Sequence, residues 1–138
     1  MDEIKDIDWC NSYKTNVGAK MSAWDMKSDN ITNIFEWVES LLFQTFPDLP
    51  PDFYTLHEAW YARYDEGDRT KVHDHKFLPW SFVYFIKSPP ESSSLYFPTS
   101  NKEITPDEGR IVIFPGNVEH YVPENKSNGR IVLVGNLK

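Results

Sequence analysis

The sequence predicts a mainly β domain of the jelly-roll kind, a sandwich or barrel of short strands with one N-terminal helix packed on a sheet. Three observations predict it. Apolar residues recur at helical spacing over one stretch near the N-terminus. About seven short stretches rich in β-branched and aromatic residues follow it. Gly, Pro, Asn and Ser separate those stretches, as expected of turns between strands.

The helix is read over 31–46, where Ile31, Ile34, Phe35, Val38, Leu41, Leu42 and Phe46 form one stripe. Asp29 or Asn30 can cap its start, and Pro47 stops it. The strands are read over 53–64, 69–75, 80–87, 94–98, 109–115, 119–123 and 129–136, with "SPPESSS" (88–94) as a turn. Alternation along 53–64 puts Trp60 and Tyr64 on one face and Tyr61 on the other, all three as core residues. The 138 residues suit a single domain, with a helical part over about 1–50 and a jelly-roll core over about 51–138. The first fifty residues carry no functional motif.

Composition excludes several classes. Hydrophobic residues make up 40% of the chain, enough for a packed core and too much for a disordered one. The formal net charge of −7 disfavours a nucleic-acid partner, which calls for a basic face. No apolar run reaches membrane-spanning length, and the acidic "MDEIKDIDWC" does not read as a signal peptide. Cys10 is the single cysteine, so no internal disulfide can form, which fits a reducing, cytoplasmic setting. P-loop, GxGxxG and Ser-His-Asp patterns are absent.

Two of the four histidines stand one residue apart in "TKVHDHKFLPWSF". On a strand His73 and His75 share a face, about 7 Å apart, and Asp74 points away. Two imidazoles so placed can pinch one metal ion. His120 is the third candidate, 45 positions after His75 and at the end of a strand that could return alongside. Three neutral imidazoles suit Fe(II), Zn(II), Ni(II), Cu(II) or Mn(II) without choosing among them. A bare HxH is common on solvated surfaces, so the pattern needs context. His57, in "YTLHEAW", reads as a partly buried strand histidine.

Context comes from "GDRTKVHDH", with Gly67 six positions before His73, and "GRIVIFPGNVEH", with Gly109 six before Pro115 and eleven before His120. These resemble the two motifs of the cupin superfamily. Asn117 stands where a glycine is expected, and Pro79 and Trp80 stand near the place of the usual glutamate. "AWYARYDEGDRTKVHDHKFLPWSFVYFIKSPP", "GRIVIFPGNVEHYVPEN" and "GRIVLVGN" together look like a family of small 2-oxoglutarate/Fe(II)-dependent oxygenases found in bacteria and in phages of marine cyanobacteria. The resemblance covers roughly 53–138. It implies a double-stranded β-helix, with iron held by His73, His75 and His120. Arg130, ten positions after His120, would bind the distal carboxylate of 2-oxoglutarate. A guanidinium suits that role as a planar, bidentate partner for a carboxylate. Tyr84 could add a hydroxyl to the same carboxylate. O2 and 2-oxoglutarate are then the small-molecule partners. The implied activity is hydroxylation, with a prolyl or other protein side chain as the first guess at substrate. If the chain is phage-encoded, its setting is the bacterial host's cytoplasm.

Two positions depart from that family. Its members mostly use two histidines and a carboxylate, the facial triad of non-haem iron oxygenases. Here the second position is His75, and the carboxylate, Asp74, is out of phase by one unless a bulge turns it inward. Val132 stands where many relatives carry a serine. The other readings are a cupin-like, three-histidine metal dioxygenase without 2-oxoglutarate, and a metal-binding jelly-roll module without turnover.

Overall fold

The computed structural model describes residues 2–11, 17–23, 25–50 and 52–138. A short 3-10 helix, Asp2–Asp6, opens the chain. Three two-residue strands follow: β1 (Cys10–Asn11), β2 (Val17–Gly18) and β3 (Lys20–Met21). Helix α1 spans Asp29–Thr45. The remaining strands are β4 (Leu56–Tyr64), β5 (Arg69–His73), β6 (Trp80–Lys87), β7 (Leu95–Phe97), β8 (Lys102–Ile104), β9 (Ile111–Pro115), β10 (His120–Val122) and β11 (Arg130–Leu137). They pair antiparallel into two sheets, ordered β1-β3-β4-β11-β6-β9 and β2-β5-β10-β7-β8. The fold is the expected jelly roll with a helix on one sheet.

Helix α1 starts two residues before the apolar stripe. Ser28, not Asp29 or Asn30, caps it, its hydroxyl accepting from the Ile31 N–H at 3.2 Å. Asp29 instead lies in the first turn, where a negative charge complements the helix dipole. At the other end the Phe46 N–H donates to the Leu42 carbonyl, and Pro47 cannot continue the ladder.

Strand alternation sorts the core into two layers. Ile31, Val38 and Leu42 of α1 pack on Tyr61, Phe82, Ile131 and Leu133, the outer face of the larger sheet. Trp60, Ala62, Tyr64, Val83, Phe85 and Val132 face the other way, meeting Leu95, Phe97 and Val122 of the smaller sheet. Trp60, Tyr61 and Tyr64 are all buried, as expected. His57 differs: it is exposed, near the start of β4.

Strands β1, β2, β3 and β8 escape sequence reading. Two or three residues hold no period, and such strands are defined by the partner they pair with, as β2 is by β5 and β8 by β7. Among the described residues, no helix is long and apolar enough to cross a membrane.

Candidate metal and cosubstrate site

A cavity of about 230 Å³ lies between the sheets. Its floor is a ladder of cross-strand pairs from β4 and β11: Tyr64 opposite Arg130, Ala62 opposite Val132, Trp60 opposite Val134 and Glu58 opposite Asn136. The ladder is polar at both ends and apolar between them.

His73, His75 and His120 meet at the Asn136 end. Their ligand atoms lie within 4.8 Å of one another. His120 of β10 stands directly opposite His73 of β5, so pairing alone puts both rings on one face, with centroids 4.3 Å apart. His75 arrives differently from the expected strand alternation. Strand β5 ends at His73, and His75 sits in the loop that follows. That loop is clamped against Gly116: the His75 N–H donates to the Gly116 carbonyl at 2.7 Å, and the Gly116 N–H to the Pro79 carbonyl at 3.2 Å. Any β-carbon at Gly116 would run into the Leu78 carbonyl oxygen and come within 2.8 Å of the His75 carbonyl oxygen. Only glycine permits this close approach. It brings the His75 ring to 5.3 Å from His73 and 4.9 Å from His120. Asp74 lines the cavity but is not in the three-histidine cluster.

Each imidazole has its Nδ1 on an acceptor. His73 donates to the Lys71 carbonyl at 2.7 Å, and His120 to the Val118 carbonyl at 2.9 Å. His75 reaches Asn136 Oδ1 at 2.7 Å and Ser81 Oγ at 2.8 Å. With Nδ1 protonated, the lone pair of a neutral ring is on Nε2, the atom a metal takes. Burial, reinforced by His73, pulls His120 down to about 3, so its ring is neutral at physiological pH.

Arg130 forms the other end. It is 1% exposed, and its Nε donates to the Ser93 carbonyl at 2.8 Å. Its plane lies over the Tyr64 ring, 4.6 Å from the centroid. Both terminal nitrogens, Nη1 and Nη2, are buried without a hydrogen-bond partner among the described residues. Burial pushes the guanidinium down, and Tyr64 opposes the shift. Beside it the Tyr64 hydroxyl and Thr70 Oγ1 are 2.5 Å apart, both on the cavity.

Tyr84 is not at this site. Strand β6 turns Ser81 and Val83 toward the cavity side, so Tyr84 faces the helix and meets Trp37 edge-on at 6.2 Å. The hydroxyl beside Arg130 belongs to Tyr64. Asn136, Ser81 and Glu58 also belong to the site, though no motif marks them. A signal existed: Asn136 is a polar residue in an apolar strand, at the same parity as Arg130 and so on the same face. Cys10 does not line the cavity; its thiol is turned to the Met21 carbonyl at 3.2 Å.

No protein-family model matches the chain, and no curated protein matches its sequence. Solved structures do share the fold. A viral collagen prolyl hydroxylase from Paramecium bursaria Chlorella virus-1, in complex with 2-oxoglutarate, superposes with a TM-score of 0.72 at 19% identity, over 88% of this chain and 79% of that one. A member of the 2OG-Fe(II) oxygenase family from Burkholderia pseudomallei gives 0.74 at 11% identity, over 96% and 73%. A predicted oxalate decarboxylase from Thermotoga maritima gives 0.60 at 9% identity, over 96% and 93%. At such identities the likeness is one of fold. The fold is shared by different chemistries, and the side chains of the cavity must decide among them.

Proposed function

We propose that the chain is an Fe(II)- and 2-oxoglutarate-dependent oxygenase acting as a hydroxylase. The observation that carries this reading is Arg130. A buried guanidinium with two unpartnered terminal nitrogens is costly unless an anion meets it. A planar carboxylate fits that fork. At the opposite end of the same cavity, three imidazoles present donor nitrogens to a divalent metal. A small dicarboxylate that chelates a metal at one end and needs a cation at the other matches both.

His73, His75 and His120 would hold the iron, and Arg130, flanked by Tyr64 and Thr70, the distal carboxylate. Bound iron and 2-oxoglutarate would supply the oxidising chemistry, in which O2 is consumed, 2-oxoglutarate is decarboxylated to succinate and a substrate C–H is hydroxylated. The chain's own residues orient the two ends of the cosubstrate, and the apolar rungs Ala62, Val132 and Val134 keep the middle dry.

The substrate class we favour is a protein or peptide side chain, prolyl included. The fold-sharing viral protein is a collagen prolyl hydroxylase. Phe77, in the loop between cavity residues Lys76 and Leu78, is 99% exposed and held at φ +71°, an apolar ring displayed where a polypeptide would approach. A bacterial cytoplasm, with a phage-encoded origin, suits this reading.

The third imidazole in place of a carboxylate favours one other reading, a three-histidine metal dioxygenase without 2-oxoglutarate. Titration of 2-oxoglutarate into Mn(II)-loaded protein separates them. The oxygenase reading expects binding that Arg130→Ala abolishes, and succinate formation when Fe(II) and O2 are supplied. Equal binding by the wild type and Arg130→Ala would move the assignment to the second reading. Metal binding with no turnover of any kind would leave a non-catalytic module.

A further inference from the structure

The three imidazoles are not held alike. His73 and His120 each use the backbone carbonyl two residues earlier, an acceptor no substitution can remove. His75 is held by side chains from distant strands. Its Nδ1 meets Asn136 Oδ1, 61 positions away, and Ser81 Oγ, and the Ser81 hydroxyl itself donates to Asn136 Oδ1 at 2.6 Å. Asn136 Nδ2 donates in turn to Glu58 Oε1 at 2.9 Å. Ser81 and Asn136 are fully buried.

An asparagine amide has one accepting and one donating end, and nothing in its shape says which way round it sits. Glu58 decides: an ionised carboxylate can only accept, so Nδ2 must face it. Oδ1 must then face His75, whose Nδ1 must carry the proton. The lone pair of His75 is thereby assigned to Nε2, on the cavity side. We infer that Asn136 is a positioning residue that fixes the tautomer and ring orientation of His75, with Glu58 fixing Asn136. This rests on the reading of His75 as a metal ligand. It also gives a chemical place to the missing carboxylate: a carboxylate is present, but it stands two hydrogen bonds behind the imidazole.

Loss of such a partner typically costs 10–100-fold in metal affinity. Co(II) is the probe, followed by calorimetry and by its visible absorption. Asn136→Leu should weaken Co(II) binding 10–100-fold and change the Co(II) spectrum. Glu58→Gln, whose amide can donate as well as accept and so no longer decides which way Asn136 sits, should weaken Co(II) binding several-fold, less than Asn136→Leu. Asn136→Asp combined with Glu58→Gln restores an acceptor at His75 and a donor behind it, and should recover affinity. Circular dichroism confirms that each variant is folded. Independently of any metal, long-range 1H–15N spectra of the metal-free wild type should show His75 protonated at Nδ1.

A folded Asn136→Leu with wild-type affinity and spectrum, or a His75 protonated at Nε2, overturns the inference. If Asn136→Leu does not fold, the double variant and the wild-type spectrum still decide. Failure of the wild type to bind Co(II), or binding that survives His73→Ala, would instead overturn the metal reading and leave the tautomer result standing by itself.

Discussion

The two ends of the cavity solve opposite problems. At the histidine end each Nδ1 meets an acceptor, so the three rings are prepared for an electrophile before any arrives. At the arginine end the cation is prepared only halfway. Nε is satisfied by Ser93 and the guanidinium lies over Tyr64, but the two terminal nitrogens have no acceptor among the described residues. One end stores hydrogen bonds and the other stores an unmet demand for them. A ligand that meets both ends gains most at the arginine, because the desolvation cost there is already present in the fold.

Removing a ring breaks the comparison most severely. His120→Ala deletes one of three donors and leaves a gap opposite His73. Divalent metal affinity should fall by more than about 100-fold, beyond the range for loss of an outer partner. Binding of 2-oxoglutarate to the metal-loaded form should vanish with it. Calorimetric titration with Mn(II), then 2-oxoglutarate, checks both, and retention of either would show that the three rings do not act together.

Arg130→Met acts on the other end and should divide function from stability. Losing one partner of a buried charge pair costs about 2–5 kcal/mol of binding, so the Kd for 2-oxoglutarate rises about thirty-fold or more, with metal affinity unchanged. Ligand-free stability should move the other way. A buried, half-satisfied cation replaced by an apolar chain of similar size is typically neutral to about 4 kcal/mol stabilising. Thermal unfolding without ligand is the measurement. A variant that is both weaker in binding and clearly less stable would mean that Arg130 is a structural element and not a poised binding group.

A smaller, graded effect comes from pH. The folded metal-free protein keeps His120 neutral down to about 3, against 6.5 for an ordinary histidine. Between those values the unfolded chain takes up a proton that the folded chain refuses. Stability is therefore full above about pH 6.5 and declines as pH falls through the window, by at most about 1.4 kcal/mol per pH unit for this one group. His120→Gln should flatten the curve of melting temperature against pH between 4 and 6.5. An unchanged curve would place the acid sensitivity elsewhere.

The contrast between the ends also separates what the sequence made legible from what it did not. His73, His120 and Arg130 sit on strands, where a period of two and a turn signal carry placement, and all three reach the cavity. Helix α1 was visible in its stripe, though not its cap, since Ser28 precedes the apolar pattern by three residues. Strand alternation points to His75, yet it reaches the cluster by a loop folded over Gly116. That glycine is legible only once the Leu78 and His75 carbonyls are seen against it. Tyr84 lies on the helix side and not at the cavity, because a strand's period says which residues share a face, not which face meets the cavity. Asn136 and Glu58 lie 78 positions apart, and no local pattern joins them.

The smallest effect tests the dry middle. Val132 is a buried rung of the floor, next on its face to Arg130 and opposite Ala62. Val132→Ser puts a hydroxyl there. Without ligand the hydroxyl has water or nothing to bond, and some packing is lost, so stability should fall by about 1–2 kcal/mol. With 2-oxoglutarate bound, the same hydroxyl can donate to a carboxylate held at Arg130, a gain of about 1 kcal/mol or a several-fold lower Kd. The variant should thus be less stable when empty and bind more tightly when metal-loaded, the reverse of Arg130→Met on both counts. If Val132→Ser weakens 2-oxoglutarate binding, the carboxylate does not lie along this rung, and the cosubstrate must enter the cavity in another orientation.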